Sequence, residues 1–282
     1  MTIQMNNVCK RFGQTQALDN VSLRFGEQKI YGLLGNNGAG KTTLFNIITN
    51  RYFADSGTVT LDGQDISDNE RALSQIYMLS EKNYYPEDMN VKDALRWAAR
   101  FYPGFDKAFA AELANRFGLP LKKRINALST GYETLFKIVV ALSTNAPFLL
   151  LDEPVLGLDA VHRDMFYRLL IQQFERRPAC YVISTHLIEE VTGLIEDVII
   201  IREGEILLHE STEELLSRGY TVSGPVAAVD EFINGRTCIG EDQLGGLKSA
   251  YLLEPVSSAN VPEGLVVSKL NLQQLFVQLT KE

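Results

Sequence analysis

The run Gly35, Asn36, Asn37, Gly38, Ala39, Gly40, Lys41, Thr42 constrains this chain more than any other stretch. It fits Gly-x4-Gly-Lys-Ser/Thr and stands between an apolar strand-like segment, 29–34, and a helical pattern, 42–48. Glycines let successive backbone N–H groups wrap round a phosphate without Cβ clashes, and the following helix directs its positive end at the same place. Within such a loop Lys41 neutralises phosphate oxygens and the Thr42 hydroxyl is placed to ligate Mg²⁺. A strand, a glycine loop and a helix in that order predict a βα unit of a parallel sheet. Seen alone, the same residues also describe a glycine-rich turn with an exposed lysine.

The rest of the chain extends that unit. Segments 2–8 and 18–25 read as strands separated by turn signals, which predicts an antiparallel sheet ahead of the loop. A second hairpin is expected at 57–63 and a buried strand at 76–79. From 91 to 142 apolar residues recur with helical spacing, broken at Pro103-Gly104 and Pro120, and this reads as a helical insertion. Buried-strand signals return at 148–151, 180–184 and 198–201, separated by helical patterns at 163–174 and 187–194. Beyond Leu216, Gly and Pro punctuate short β-like pieces and one helix-like stretch, 226–233. A small α+β unit is expected there.

The strand 148–151 ends in Asp152-Glu153. Carboxylates at the C-terminal end of a parallel strand face the crevice where such sheets bind ligands, so Asp152 is placed to hold Mg²⁺ and Glu153 to polarise a water. An isolated Asp-Glu pair is equally an ordinary solvated turn; behind a phosphate loop the functional reading gains. Further marks follow in order: Leu-Ser-Thr-Gly-Tyr at 128–132, Gly157-Leu158-Asp159, and His186 directly after 182–185. Upstream, Phe12 sits in Lys10-Arg-Phe-Gly13 and Glu81 in Leu79-Ser-Glu-Lys82.

On these residues the chain resembles, over about 3–216, the nucleotide-binding subunit of an ATP-binding cassette (ABC) transporter. The resemblance implies a P-loop NTPase α/β core with an antiparallel β-subdomain and an inserted helical subdomain at about 83–145, together spanning 1–217. A C-terminal α+β accessory extension, 218–282, would follow. ATP and Mg²⁺ are the implied substrate and cofactor. ATP-binding residues would be Phe12, Gly35, Asn36, Asn37, Gly38, Ala39, Gly40, Lys41, Thr42, Thr43, Ser129, Gly131 and Asp159. Thr42, Glu81 and Asp152 would hold the metal, and Glu153 as base with His186 would be catalytic. Because the 128–132 loop lies in the helical part, two cassettes are expected head to tail, as a homodimer or with a related subunit, on a separately encoded membrane permease. His162 and His209 carry no motif and are expected at the surface. Ser129 also reads as a helix N-cap, with Glu133 in a capping-like spacing.

Two departures stand out: Thr130 and Tyr132 replace a glycine and the glutamine of the Leu-Ser-Gly-Gly-Gln signature, and Glu81 replaces a glutamine. Composition supplies exclusions. A net charge of −8, with no basic block, argues against general nucleic-acid binding. No apolar run approaches the roughly 18 to 20 residues of a membrane helix, and the polar start has no signal-peptide core. Cys9, Cys180 and Cys238 are too far apart for a disulfide framework or a Cys-x-x-Cys site and read as thiols in a reducing compartment. The expected setting is the cytoplasm, peripheral on the inner membrane face. The tail 271–280 resembles the ending of exporter cassettes, which favours export over import. A soluble ABC-type ATPase outside transport, and a regulatory subunit with a weakened site, are the competing functions.

Overall fold

In the computed structural model, residues 1–26, 28–86, 88–256 and 261–281 are described. Three sheets organise them. The first is antiparallel, in the order β2-β1-β4-β5, from β1 (Thr2–Phe12), β2 (Thr15–Gly26), β4 (Ser56–Leu61) and β5 (Gln64–Asp65). Alternation along β2 sends Val21, Leu23 and Phe25 inward and leaves their neighbours outside, as a half-buried strand requires.

The second sheet runs β10-β9-β3-β8-β7-β6. It comprises β3 (Lys29–Leu34), β6 (Ile76–Leu79), β7 (Phe148–Asp152), β8 (Cys180–Ser184), β9 (Asp197–Arg202) and β10 (Glu205–Ser211). All neighbours pair in parallel except β10, which returns antiparallel along β9. Its central strands are apolar almost throughout because both faces are covered. Leu33, Phe148, Leu150 and Val182 point into a core shared with the first sheet and α1 (Lys41–Ile48). Their alternates Leu34, Leu149, Leu151 and Tyr181 point into a larger core shared with the helices.

Those helices include α3 (Val91–Phe101), α4 (Lys107–Arg116), α5 (Thr130–Ser143), α6 (Ala160–Arg176), α7 (Ile188–Val191) and α8 (Thr212–Arg218), whereas α2 (Glu70–Leu73) sets Ala72 in the core of the first sheet. The helical pattern read at 187–194 yields only the four residues of α7. The Thr192 hydroxyl donates to Ile188 O and the Leu194 N–H to Val191 O, and the chain turns there towards β9.

The third sheet, β12-β13-β11-β14, is antiparallel. It uses β11 (Gly219–Pro225), β12 (Cys238–Leu244), β13 (Leu247–Leu253) and β14 (Val266–Lys269), with α9 (Val226–Ile233) packed on it. Val222, Phe232, Leu252 and Val256 form a small core of their own. The last helix, α10 (Leu272–Thr280), buries Leu272 and Leu275 in the large core instead. The mixed α/β architecture expected from the sequence is therefore present, with parallel-rich and antiparallel sheets in their expected places.

Candidate functional site

The glycine loop follows β3 and ends in α1. Gly40, at φ +113°, is its N-cap, and a Cβ there would lie 2.5 Å from Ala17 O. Gly38 also takes a left-handed φ, +83°, but a Cβ on it would meet no protein atom: it borders open space. The first helical bond of α1 runs from Leu44 N–H to Gly40 O, so the amides of Lys41, Thr42 and Thr43 precede it and point out of the helix start. Lys41 is only 7% exposed, and its ammonium donates to Gly35 O at 2.6 Å and Asn36 O at 3.1 Å. Burial lowers its pKa, while the carboxylates of Glu153 and Asp152 pull it back up. Asn36 and Asn37 are exposed on the loop, and Ala39 is buried beneath it.

Asp152 closes β7 and is 4% exposed. Its two oxygens accept from Thr42 Oγ1 at 2.8 Å and Ser184 Oγ at 3.0 Å. Burial raises its pKa, and those two hydrogen bonds oppose the shift. Glu153, next along, donates its N–H to Ser184 O at 2.9 Å, and its Oε2 lies 2.9 Å from His186 Nδ1. The carboxylate can only accept, so the imidazole Nδ1–H donates. Parallel pairing brings these groups together, since Asp152 is in register with Ser184 and His186 follows two residues later.

A cavity of about 330 Å³ opens over the loop, lined among others by Phe12, Thr42, Thr43, Glu81 and Asp152. Phe12, 45% exposed, makes an edge-on contact with Tyr52, ring centroids 5.4 Å apart. A second cavity of about 210 Å³ shares Ser80, Glu81 and Asp152 and reaches Glu153, Thr130 and Lys137. Lys137 donates to Glu81 O at 2.5 Å and pairs with Glu133 at 2.8 Å. Glu133 is thus taken by Lys137, while Ser129 caps α5 by accepting from Tyr132 N–H at 3.4 Å.

Phe12, residues 35–43, Glu81, Asp152, Glu153 and His186 thus lie around one region. Ser129, Gly131 and Asp159 do not line either cavity. Gly131 stands over Gly157, and Asp159 caps α6 while its carboxylate accepts from His162 Nδ1–H at 2.9 Å. Sequence reading did not single out Tyr52, Ser184 or Lys137. Only Ser184 left a trace in the sequence, as the polar end of the strand before His186.

The oxygen donors fit a small hard cation. Neighbouring ligands of octahedral Mg²⁺, at 2.0–2.1 Å, stand about 2.9 Å apart, and Thr42 Oγ1 and Asp152 Oδ2 are 2.8 Å apart. Among the described residues no cluster of three or more His, Cys, Asp or Glu could cage a metal.

Comparison with known proteins gives a consistent result. The family model described as ABC transporter matches residues 18–156. The chain is 33% identical over 201 residues to the ABC transporter ATP-binding protein YtrB of Bacillus subtilis, covering 69% of each protein. It is 29% identical over 247 residues to the ribose import ATP-binding protein RbsA of Bacillus licheniformis, covering 80% of this chain and 50% of that one. Among solved structures, a dimeric ATP-binding cassette in a post-hydrolysis state with ADP and Pi aligns with a TM-score of 0.65. That likeness covers 74% of this chain and 98% of the other at 23% identity, and it is one of fold.

Proposed function

The chain belongs to the family of ABC transporter ATP-binding cassettes, and we propose that it is the peripheral, ATP-driven subunit of an exporter whose membrane permease is a separate chain. As a family member it is an ATP-binding, ATP-hydrolysing protein. The observation that carries the residue assignment is the Glu153–His186 contact, one residue along from the Asp152–Thr42 bond. A base held by a second side chain, beside a phosphate loop, is the arrangement that water activation requires.

In this reading the N–H groups of 38–43 and the Lys41 ammonium receive the phosphates, and the adenine lies on Phe12 with Tyr52 behind it. Thr42, Asp152 and Glu81 would hold Mg²⁺, which when bound offsets phosphate charge. Glu153 takes the proton of the attacking water, and His186 keeps the Glu153 carboxylate turned towards the γ-phosphate. Ser129, Gly131 and Asp159 line neither cavity, and in this reading they serve the site of a second cassette. We take 1–217 as the cassette, with its helical subdomain at about 83–145, and 218–282 as an accessory unit.

A partner is supported by an open groove of about 500 Å³ between the parallel sheet and α3, lined by Tyr84, Tyr85, Trp97, Phe101 and Tyr102. Tyr84, Trp97 and Phe101 are exposed there, and exposed aromatic residues gathered in one groove suit a cytoplasmic segment of a permease. Among the described residues no helix is long and apolar enough to cross a membrane. Export rests on the likeness of 271–280 to exporter endings, whereas the relative RbsA is named for import.

Glu153→Gln is expected to lower steady-state hydrolysis by about 10²- to 10⁴-fold while ATP binding persists; undiminished turnover would remove Glu153 as base. Purification from native membranes in mild detergent tests the partner. A stoichiometric polytopic protein supports the transporter reading, and recovery without one favours a soluble ATPase. Assay of that complex in inverted vesicles then reports the direction of transport.

A further inference from the structure

Helix α3 offers solvent two different ridges. Lys92, Arg96 and Arg100 recur every four residues along one of them. Lys107, at the start of α4, joins them around a groove of about 660 Å³ whose apolar lining includes Leu95, Phe105, Ala110 and Leu121. Among the described residues, no Asp or Glu lines this groove. Asp93, which follows Lys92, is engaged: its carboxylate accepts from Arg96 at 3.0 Å and from the Asn90 amide at 2.6 Å. The neighbouring ridge carries Trp97 and Phe101, 43% and 67% exposed, their rings 6.0 Å apart. Meanwhile Val91, Ala94 and Ala98 are buried and fix the helix in the fold.

Cations around an apolar trough, with Trp and Phe beside them, have the chemistry of a surface that meets anionic headgroups above acyl chains. A free phosphate would use the cations and leave the apolar lining idle. The overall charge of −8 does not forbid such contact. Beyond about 8 Å at physiological salt, repulsion between the remaining acids and the membrane is screened, and the local sign decides.

We propose that the α3–α4 face docks on an anionic lipid bilayer, with Lys92, Arg96, Arg100 and Lys107 on the headgroups and Trp97 at their level. The proposal rests on the reading of the chain as a peripheral membrane subunit, and it places α3 against the membrane beside the aromatic groove assigned to the permease. Contact is by a rigid face, because the buried side of α3 cannot leave the core.

Trp97 is the single tryptophan of the chain and reports directly. The purified full-length protein, without permease, is mixed with vesicles of phosphatidylglycerol and phosphatidylcholine, or of phosphatidylcholine alone. Anionic vesicles are expected to float the protein and shift Trp97 emission to the blue, and high salt to reverse both. At about fivefold per cation near an anionic surface, the triple variant K92Q/R96Q/R100Q should bind about a hundredfold more weakly, with ATP hydrolysis unchanged. Equal binding to neutral vesicles, indifference to the triple substitution, or no binding at all would overturn the proposal. If the permease co-purifies but vesicles do not bind, lipid docking alone fails and the face passes to a protein partner. If vesicles bind and no permease is found, the transporter reading fails instead.

Discussion

Glu153 holds its backbone at φ +47°, a left-handed conformation that costs a residue with a side chain roughly 1 kcal/mol or more. Ser184 helps to hold it there: its carbonyl accepts from Glu153 N–H, and its hydroxyl donates to Asp152. One fully buried serine therefore positions both carboxylates. Ser184→Ala leaves the Asp152 oxygen without that donor and is expected to cost about 1–3 kcal/mol, read as a lower urea midpoint at constant slope. A midpoint equal to the parent's would mean that the bond carries no net stability. Asp152 and Glu153 were legible in the sequence because charge that ends an apolar strand is a local pattern. Ser184 and Tyr52 were not. Their roles depend on the register of β7 with β8 and on the distance from Phe12 across a fold, neither of which leaves a local mark.

Elements repeat the lesson. Strand, glycine loop and helix could be read from spacing alone, as could the buried strands of the parallel sheet, whereas β10 escaped because its residues alternate in exposure but not in polarity: Leu207 is exposed between half-buried Ile206 and Leu208, and Glu210 is half-buried. The junction between α5 and the 155–158 turn was likewise invisible before folding. Thr134 Oγ1 donates to Leu156 O at 2.8 Å, and a Cβ on Gly157, at φ +77°, would fall 2.8 Å from Thr130 Cγ2. The departure Thr130 thus packs on the turn that leads to Asp159. Gly157→Ala is expected to destabilise by about 1–3 kcal/mol. Adding Thr130→Ser, which removes the offending methyl, should restore part of it, and strict additivity in denaturation would show that the two do not touch. On β10, His209 packs edge-on to Tyr31, and its pKa is lowered from 6.5, chiefly by burial, against the pull of Asp197. The unfolded chain then takes up that proton first. The contribution of His209 is complete above about pH 6.5 and is lost as pH falls through the lower folded value. Replacing it by Gln should flatten the acid side of a thermal-stability curve; an unchanged slope there would clear His209 of that role.

At the scale of the molecule, the tail is joined to the cassette through its core. Strands β11 to β14 make their own sheet and, with α9, a small core, yet Leu270, Leu272 and Leu275 lie in the large core with Val191, Ile195 and Leu215. Gly219 permits this closeness, since a Cβ there would sit 3.0 Å from a Leu275 methyl. Beyond Leu216 the sequence marks a helix only at 226–233; the structure adds α10, capped by a reciprocal Asn271–Gln274 box, and sends its apolar side into the large core, which no local spacing announces. A helix that leaves the small sheet and plugs the large core should tie their unfolding together. Leu275→Ala removes a fully buried side chain and is expected to cost about 2–5 kcal/mol. Calorimetry should show the main transition moving down as one step, and a chain ended at residue 217 should melt lower still, with Leu215 uncovered. If Leu275→Ala instead leaves the main transition in place and creates a small early one, the C-terminal unit unfolds on its own and α10 does not brace the cassette.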